Sequence, residues 1–399
     1  MKIASQNPTI PCRTVLADIA NALQTDSMAA ATSMTKLSVL KQCIYRARRK
    51  EQGEETIPTS VEELLNLDDK YSNLPSGEKF LISAEQLKGD GDVSLIFMSD
   101  FGKRLLSRSK VWPMDGTFAT VPEQFSQLYT IFGFVGDSST RVLPGAYMLL
   151  PNKHSDQYIS SFRTIAANVD TAPEKISIDF EQSVVRAMKE VFPNATVQGC
   201  NFHLKKAVFS NVGFKGCLPL FNNDENFQVG LELIYALSLV PEPEIVHAWV
   251  DVVRPFFTEQ FPDSEEVDDF LHYFERNFIG LVRYDGTRRN PMFAYSMWNI
   301  HARVMNGDPT TNNAVESWNA RWNRSMGTNH NVARVIKGFM NEDSLARAKF
   351  HEFVSGGQQS SNPSREARKS YNHDNLVRAL EQFTPENLKD FLHGMRNFV

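Results

Sequence analysis

A mixed α/β sheet domain joined to long helical stretches is the fold class this sequence predicts, and three observations predict it. Short apolar runs rich in β-branched and aromatic residues cluster between about Phe80 and Gly213. Helical periodicity alternates with the later of those runs. The chain on either side reads as helical, with prolines marking the limits of its segments.

The first region, residues 1–77, reads as helical and partly basic. Leu37, Leu40, Ile44 and Ala47 recur at helical spacing among Lys36, Lys41 and the run Arg46 to Lys50. That run, RARRK, suits a solvated helix face, and it equally suits contact with DNA phosphates or a nuclear import signal. Thr59 followed by Glu62 resembles a capping box opening a short helix through Leu65.

Residues 78–213 hold the sheet. Strand-like runs occur at Val93–Met98, Val111–Phe118, Leu128–Val135 and Val142–Leu150, followed by a helix at Asp156–Asn168. A run at Ile176–Asp179, a helix at Gln182–Phe192, a run at Ala195–Gly199 and a helix at Phe202–Asn211 complete the region. Three of these strands, followed by alternating helices and strands, give a mixed sheet covered by helices in the order β-β-β-α-β-α-β-α. That order is the order of a ribonuclease H-like domain. Residues 214–306 turn helical, with amphipathic stretches at Phe227–Leu239 and Val267–Phe278 bounded by Pro241, Pro243, Pro262 and Pro291. Segment 307–355 resumes as helix from Thr311 to Phe353. In the last segment, 356–399, a flexible loop over Ser355–Arg365 leads to a helical hairpin, Asn375–Phe383 and Glu386–Phe398.

Bulk properties narrow the function classes. A chain of 399 residues predicts two or three structural units, and 42% hydrophobic residues suffice for a large core. No apolar run approaches the ~18 residues of a membrane span, and Met1 to Pro11 lacks secretory-signal features, so an intracellular protein is expected. Cys12, Cys43, Cys200 and Cys217 are scattered, which argues against a disulfide framework. Only Cys200 and His203 are close enough to share a zinc site, and no second ligand pair is near, so structural zinc is not expected. The net charge of −5 does not advertise nucleic-acid binding, but binding depends on local clusters and a nuclease centre itself carries carboxylates.

Three acids stand out. Asp115, in VWPMDGTF, ends a hydrophobic run, where Asp-Gly is also an ordinary turn signal. Asp179, in KISIDFEQSVV, lies between a strand and a helix, where an acid serves as a helix cap or as a strand-end ligand. Glu316, in TTNNAVESWNARWN, shares a helix face with Asn312, Asn313, Asn319 and Asn323, opposite a stripe of Val315, Trp318 and Trp322. Asparagine is a poor helix former, so its density here suggests a role in supporting a site or a ligand. Two strand-end aspartates and one helical glutamate would suit a pair of divalent ions acting in phosphodiester displacement.

The sequence resembles the Mutator-like element (MULE) transposase family, whose members are often associated with FLYWCH zinc fingers. The matching stretches are DGTF with the later FSQLYTIFGF, LPGAYMLLPNK, ISIDFEQSVVRAMKEVFPNATVQGCNFHLKKAV and TTNNAVESWNARWN, within a likeness running from about Leu37 to the C-terminus. The resemblance implies a DDE-type DNA transposase that cleaves transposon ends and transfers strands, with Asp115, Asp179 and Glu316 as catalytic, metal-binding triad. It implies Mg²⁺, with Mn²⁺ able to substitute. The gap of 316 − 179 = 137 residues implies an all-helical insertion in a ribonuclease H-like sheet. Cys200 and His203 match the family's CxxH motif; His203 is expected to support the acids, with plain packing as the alternative. Lys205 and Lys206 are phosphate candidates, as are Arg321 and Arg324. Trp298 matches a family tryptophan that either stacks on an unpaired base or packs in the helical core. Expected partners are terminal inverted repeats and target DNA, in a homodimer or higher oligomer in the nucleus. Relatives often carry a zinc-finger module ahead of this region; either such a module is missing here by truncation, or end recognition lies in the basic N-terminal helices. The alternative function is a domesticated transposase-derived DNA-binding or regulatory protein without mobility.

Overall fold

The structure, a computed structural model, describes residues 57–87, 92–136, 141–327, 330–355 and 363–399. The chain divides into two units, Met1–Pro58 and Thr59–Val399. The Leu37-to-Ala47 periodicity and the basic run fall outside the described residues.

Among the described residues, seven strands form one mixed sheet. In chain order the sheet region runs β1 (Leu81–Gln86), β2 (Val93–Phe97), α1 (Asp100–Arg108), β3 (Val111–Thr117), β4 (Gln127–Phe134), β5 (Val142–Leu150), α2 (Ser155–Asn168), β6 (Lys175–Ile178), α3 (Gln182–Val191), β7 (Thr196–Gly199) and α4 (Asn201–Phe214). The longer helices that follow are α5 (Glu225–Ala236), α6 (Glu265–Phe274), α7 (Asn313–Met326), α8 (Val332–Val354), α9 (Pro363–Leu380) and α10 (Leu388–Met395). Strand order is β1-β2-β5-β4-β3-β6-β7. The pairs from β1 to β3 are antiparallel, whereas β3–β6 and β6–β7 are parallel.

Side-chain alternation splits the sheet between two cores. Ile96, Met114, Tyr129, Ile131, Met148 and Ile176 face α2 and α3, in a cluster that continues into the helical region after α4. Leu95, Phe97, Leu128, Phe132, Tyr147 and Leu149 face the other way, onto Trp318 and Trp322 of α7 and Phe339 of α8. Both faces are covered, which is why β2 (VSLIF) is buried at every position.

The structure differs from the sequence reading in four places. The capping box is formed by Ser60 and Glu63, one residue later than Thr59 and Glu62, because Glu63 reaches back to the backbone of both Thr59 and Ser60. Strand β1 and helix α1 are additional elements. Residues 281–294, inside the stretch read as helical, form a turn closed by a Val282↔Arg288 bridge, with Asp285-Gly286 at its bend. Helix α9 begins at Pro363, inside the stretch read as loop, since proline is at home in a first helical turn. Among the described residues, no helix is long and apolar enough to cross a membrane.

Candidate active site

Strand register fixes the two aspartates. β3 and β6 pair Val111↔Lys175, Trp112↔Ile176 and Pro113↔Ser177, an offset of 175 − 111 = 64. Continuing it sets Asp115 beside Asp179, since 179 − 115 = 64. Paired strands run ~4.8 Å apart, and parallel partners in register share a face. Trp112, Met114, Ile176 and Ile178 enter the core under α2 and α3, so alternation turns both aspartates to the face that α7 covers.

Helix α7 arrives there through its two stripes. Val315, Trp318 and Trp322 are buried against the sheet as the spacing predicts. The amide stripe docks on β3 and the loop after it: Asn319 Nδ2 donates to Asp115 Oδ2 (2.5 Å), and Asn323 Oδ1 accepts from Thr120 Oγ1 (2.9 Å). Ahead of the helix, residues 308–312 are tied along β6 and the end of β7. Lys175 pairs with Asp308 (2.8 Å), Ser177 Oγ donates to Asn312 Oδ1 (3.0 Å), and Asn201 N donates to Thr310 O (3.0 Å). The Asn312 N–H donates to Cys200 Sγ (3.3 Å), and the buried Arg303 guanidinium bonds both Gly199 O and Pro309 O. These ties set Glu316, 137 residues after Asp179 (316 − 179), on the first turn of α7, close enough for its charge to act on Asp115.

The three acids share one field. Burial first, and the neighbouring Asp179 second, push Asp115 up to about 7, with Glu316 adding to the rise and the Gly116 N–H and Lys206 opposing it. Burial raises Asp179 and Glu316 as well, and Lys206 pulls both back. Asp179 Oδ1 and Glu316 Oε1 are buried without a hydrogen-bond partner. Buried, unpartnered carboxylate oxygens are costly unless a cation or proton meets them. Among the described residues, no three His, Cys, Asp or Glu side chains are already gathered as the ligand set of one ion.

An open cleft of about 410 Å³ lies in front of the two aspartates, lined by Asp115, Asp179, Glu181, His203, Lys206 and Phe118 among others. His203, Lys206, Ala207 and Ser210 line it from α4, the i, i+3, i+4, i+7 spacing of one helix face. Burial and Lys206 lower His203 to about 4, leaving a neutral imidazole at physiological pH. A larger cavity of about 720 Å³, between α1 and the end of α8, holds none of the three acids.

The remaining sequence candidates are distributed as follows. Lys206 faces the cleft, but Lys205 lies over the Tyr235 ring, 5.8 Å from its centroid. Cys200 is a buried acceptor for the α7 approach, and Asn313 is exposed. Arg321 is held by Glu342 (3.3 Å), and Arg324 Nε donates to Ala320 O (3.2 Å). Trp298 is buried among Phe274, Phe278 and Tyr295, the placement of the packing alternative. Glu181 is a third acid lining the cleft, and the sequence reading did not single it out. It accepts from the Tyr158 hydroxyl (2.7 Å) and pairs with Lys153 (3.7 Å). Its position two residues after Asp179 was the available signal.

A buried sheet carrying two acids at the carboxyl ends of adjacent parallel strands defines an α/β protein with an acid-lined cleft. Residues 111–207 match the family model of the MULE transposase domain. The match contains Asp115, Asp179, Cys200, His203, Lys205 and Lys206, and it ends before Glu316. No curated protein matches the chain.

Proposed function

We propose that this chain is a DDE-type DNA transposase, catalysing metal-dependent phosphodiester cleavage at transposon ends and strand transfer, with Asp115, Asp179 and Glu316 as its acids. One observation carries the reading: two aspartates stand at matched register positions, the charges of Asp179 and of the distant Glu316 both act on Asp115, and Asp179 and Glu316 each hold a buried, unpartnered oxygen. The MULE transposase domain over residues 111–207 supports it. So does the order β5-β4-β3-β6-β7, three antiparallel strands followed by two parallel ones, which is that of a ribonuclease H-like sheet.

The donor set is all carboxylate oxygen, which fits Mg²⁺, with Mn²⁺ as a substitute. Asp115, Asp179 and Glu316 would hold it. When bound, divalent ions lower the pKa of the attacking water or 3′-hydroxyl and stabilise the leaving oxygen. Asn319 holds one oxygen of Asp115 and so fixes that carboxylate's plane. Lys206 presents positive charge where a backbone phosphate would enter, and neutral His203 offers a hydrogen bond without adding charge. The substrates are terminal inverted repeats and target DNA. Joining two ends calls for a homodimer or larger assembly, acting in the nucleus.

The test is cleavage and strand transfer on terminal-repeat DNA with Mg²⁺ or Mn²⁺, comparing wild type with Asp115→Asn, Asp179→Asn and Glu316→Gln. Each substitution is expected to lower the rate by roughly 100-fold or more, because charge stabilisation by such ions is worth several kcal/mol. A wild type inactive on genuine ends, or full activity in any of the three variants, would overturn the reading.

A further inference from the structure

Between α6 and α7 the helical region is interrupted by a built turn, residues 280–293, whose outward side chains serve no packing purpose. Its base is locked. Gly280 has φ 97°, and a Cβ there would fall 2.0 Å from Arg289 O, so the chain crosses itself where only glycine fits. The Arg289 N–H donates to Leu281 O (2.9 Å), and the Phe293 N–H to Asn277 O (2.9 Å). Arg288 donates to the buried Glu275 (2.7 Å) and to Gly280 O (2.6 Å), while Arg254 holds the other Glu275 oxygen (3.2 Å). The tip is equally ordered: Arg283 N donates to Thr287 O (2.7 Å), and Asp285 Oδ1 accepts from the Thr287 N–H (3.0 Å) and hydroxyl (2.6 Å).

On this frame Tyr284 is fully exposed, and Arg283 and Arg289 are exposed beside it. Among the described residues, neither guanidinium has a partner, and the turn's one acid, Asp285, is engaged within the bend. The frame is mounted on the cleft. Phe278 and Phe293, at its base, pack edge-on against Phe180 at 5.7 and 5.2 Å, and Phe180 follows Asp179 and lines the cleft. Six residues separate Phe278 from Tyr284 (284 − 278), a reach of at most ~20 Å, or about six base steps of DNA. A fully exposed aromatic on an ordered turn that also carries two uncommitted cations is a stacking platform for a base with accompanying phosphate contacts.

We propose that residues 281–289 form a DNA-contacting finger in which Tyr284 stacks on an unpaired base near the cut while Arg283 and Arg289 hold adjoining phosphates. This rests on the DNA-cleaving reading above and gives its cleft a feature selective for unpaired nucleotides. Tyr284 would take the role that the sequence reading offered to Trp298, which the fold buries.

The experiment is equilibrium binding in EDTA, so that catalysis plays no part. The probes are a fluorescein-labelled duplex bearing a single-stranded arm of roughly ten thymidines, within the span of known single-strand sites, and the same duplex with blunt ends. Tyr284→Ala is expected to weaken binding of the armed duplex by roughly 5- to 150-fold, to leave the blunt duplex unaffected, and to melt as wild type does. Tyr284→Trp should retain the preference for the arm. Arg283→Ala with Arg289→Ala should weaken both probes and reduce the salt slope by about two. Wild-type affinity for the armed duplex in Tyr284→Ala, or equal weakening of both probes, would overturn the finger. Neither outcome touches the cleavage reading, which stands or falls with the acid substitutions.

Discussion

The two faces of the sheet are sealed by different chemistry. Under α2 and α3 the contact is predominantly apolar, with Tyr129 edge-on to Tyr158 (5.7 Å) and to Phe162 (5.8 Å) among aliphatic side chains. Under α7 the contact divides along the helix. One stripe is a run of stacked rings, Trp318 on Trp322 (5.5 Å) and Trp322 on Phe339 (5.3 Å), with Phe339 on Tyr147 (4.6 Å). The other is the amide stripe that holds Asp115 and leads to Glu316. A helix that presents acid to a cleft needs an anchor independent of the cleft, and the ring stack supplies it. The stabilising and reactive functions of α7 are therefore expected to separate under mutation.

The largest expected effect is on the anchor. Trp322→Ala should lose about 3–5 kcal/mol in denaturant unfolding, because a fully buried ring in a stack leaves a cavity that Gly338, packed against it, cannot fill. A loss below about 1 kcal/mol would mean that the stack is not what holds α7.

On the reactive side the sign should reverse. Asp115 binds its proton more tightly in the folded chain, with a pKa of about 7 against 3.8. The folded state then holds more protons between those values, so its contribution to stability falls as pH rises from about 4 through about 7. Without divalent ions, Asp115→Asn is expected to raise the melting temperature at pH 8, through a penalty of order a few kcal/mol, and to lose that advantage near pH 4. Thermal scans at the two pH values check it; a variant less stable than wild type at pH 8 would contradict the buried-acid account.

Much of this architecture was legible because its strands are short, apolar and buried on both faces; the run Val142–Leu150 coincides with β5. β1 was missed because LISAEQ is half-exposed at the sheet edge, where neither alternation nor continuous burial marks it. α1 was missed because Gly102 interrupts its pattern. That glycine lets the helix lie against β5, where a Cβ would fall 2.0 Å from Gly145 O. In the site, Asp115, Asp179 and Glu316 could be named from spacing and resemblance, and the aromatic and amide stripes of α7 from helical periodicity. The ties that bring α7 back could not. Cys200 as an acceptor, Ser177 against Asn312 and the Arg303 clamp depend on which strand neighbours which, information that only the register supplies.

The central claim is that Glu316 belongs to the same cation-binding site as the two aspartates. Mn²⁺ binding followed by electron paramagnetic resonance, on wild type and Glu316→Gln, tests it most directly. A common site requires that Glu316→Gln weaken Mn²⁺ binding by roughly tenfold or more, as loss of a charged ligand should, while the fold stays at least as stable as wild type through its intact ring stack. Identical Mn²⁺ affinity in the two proteins would contradict it.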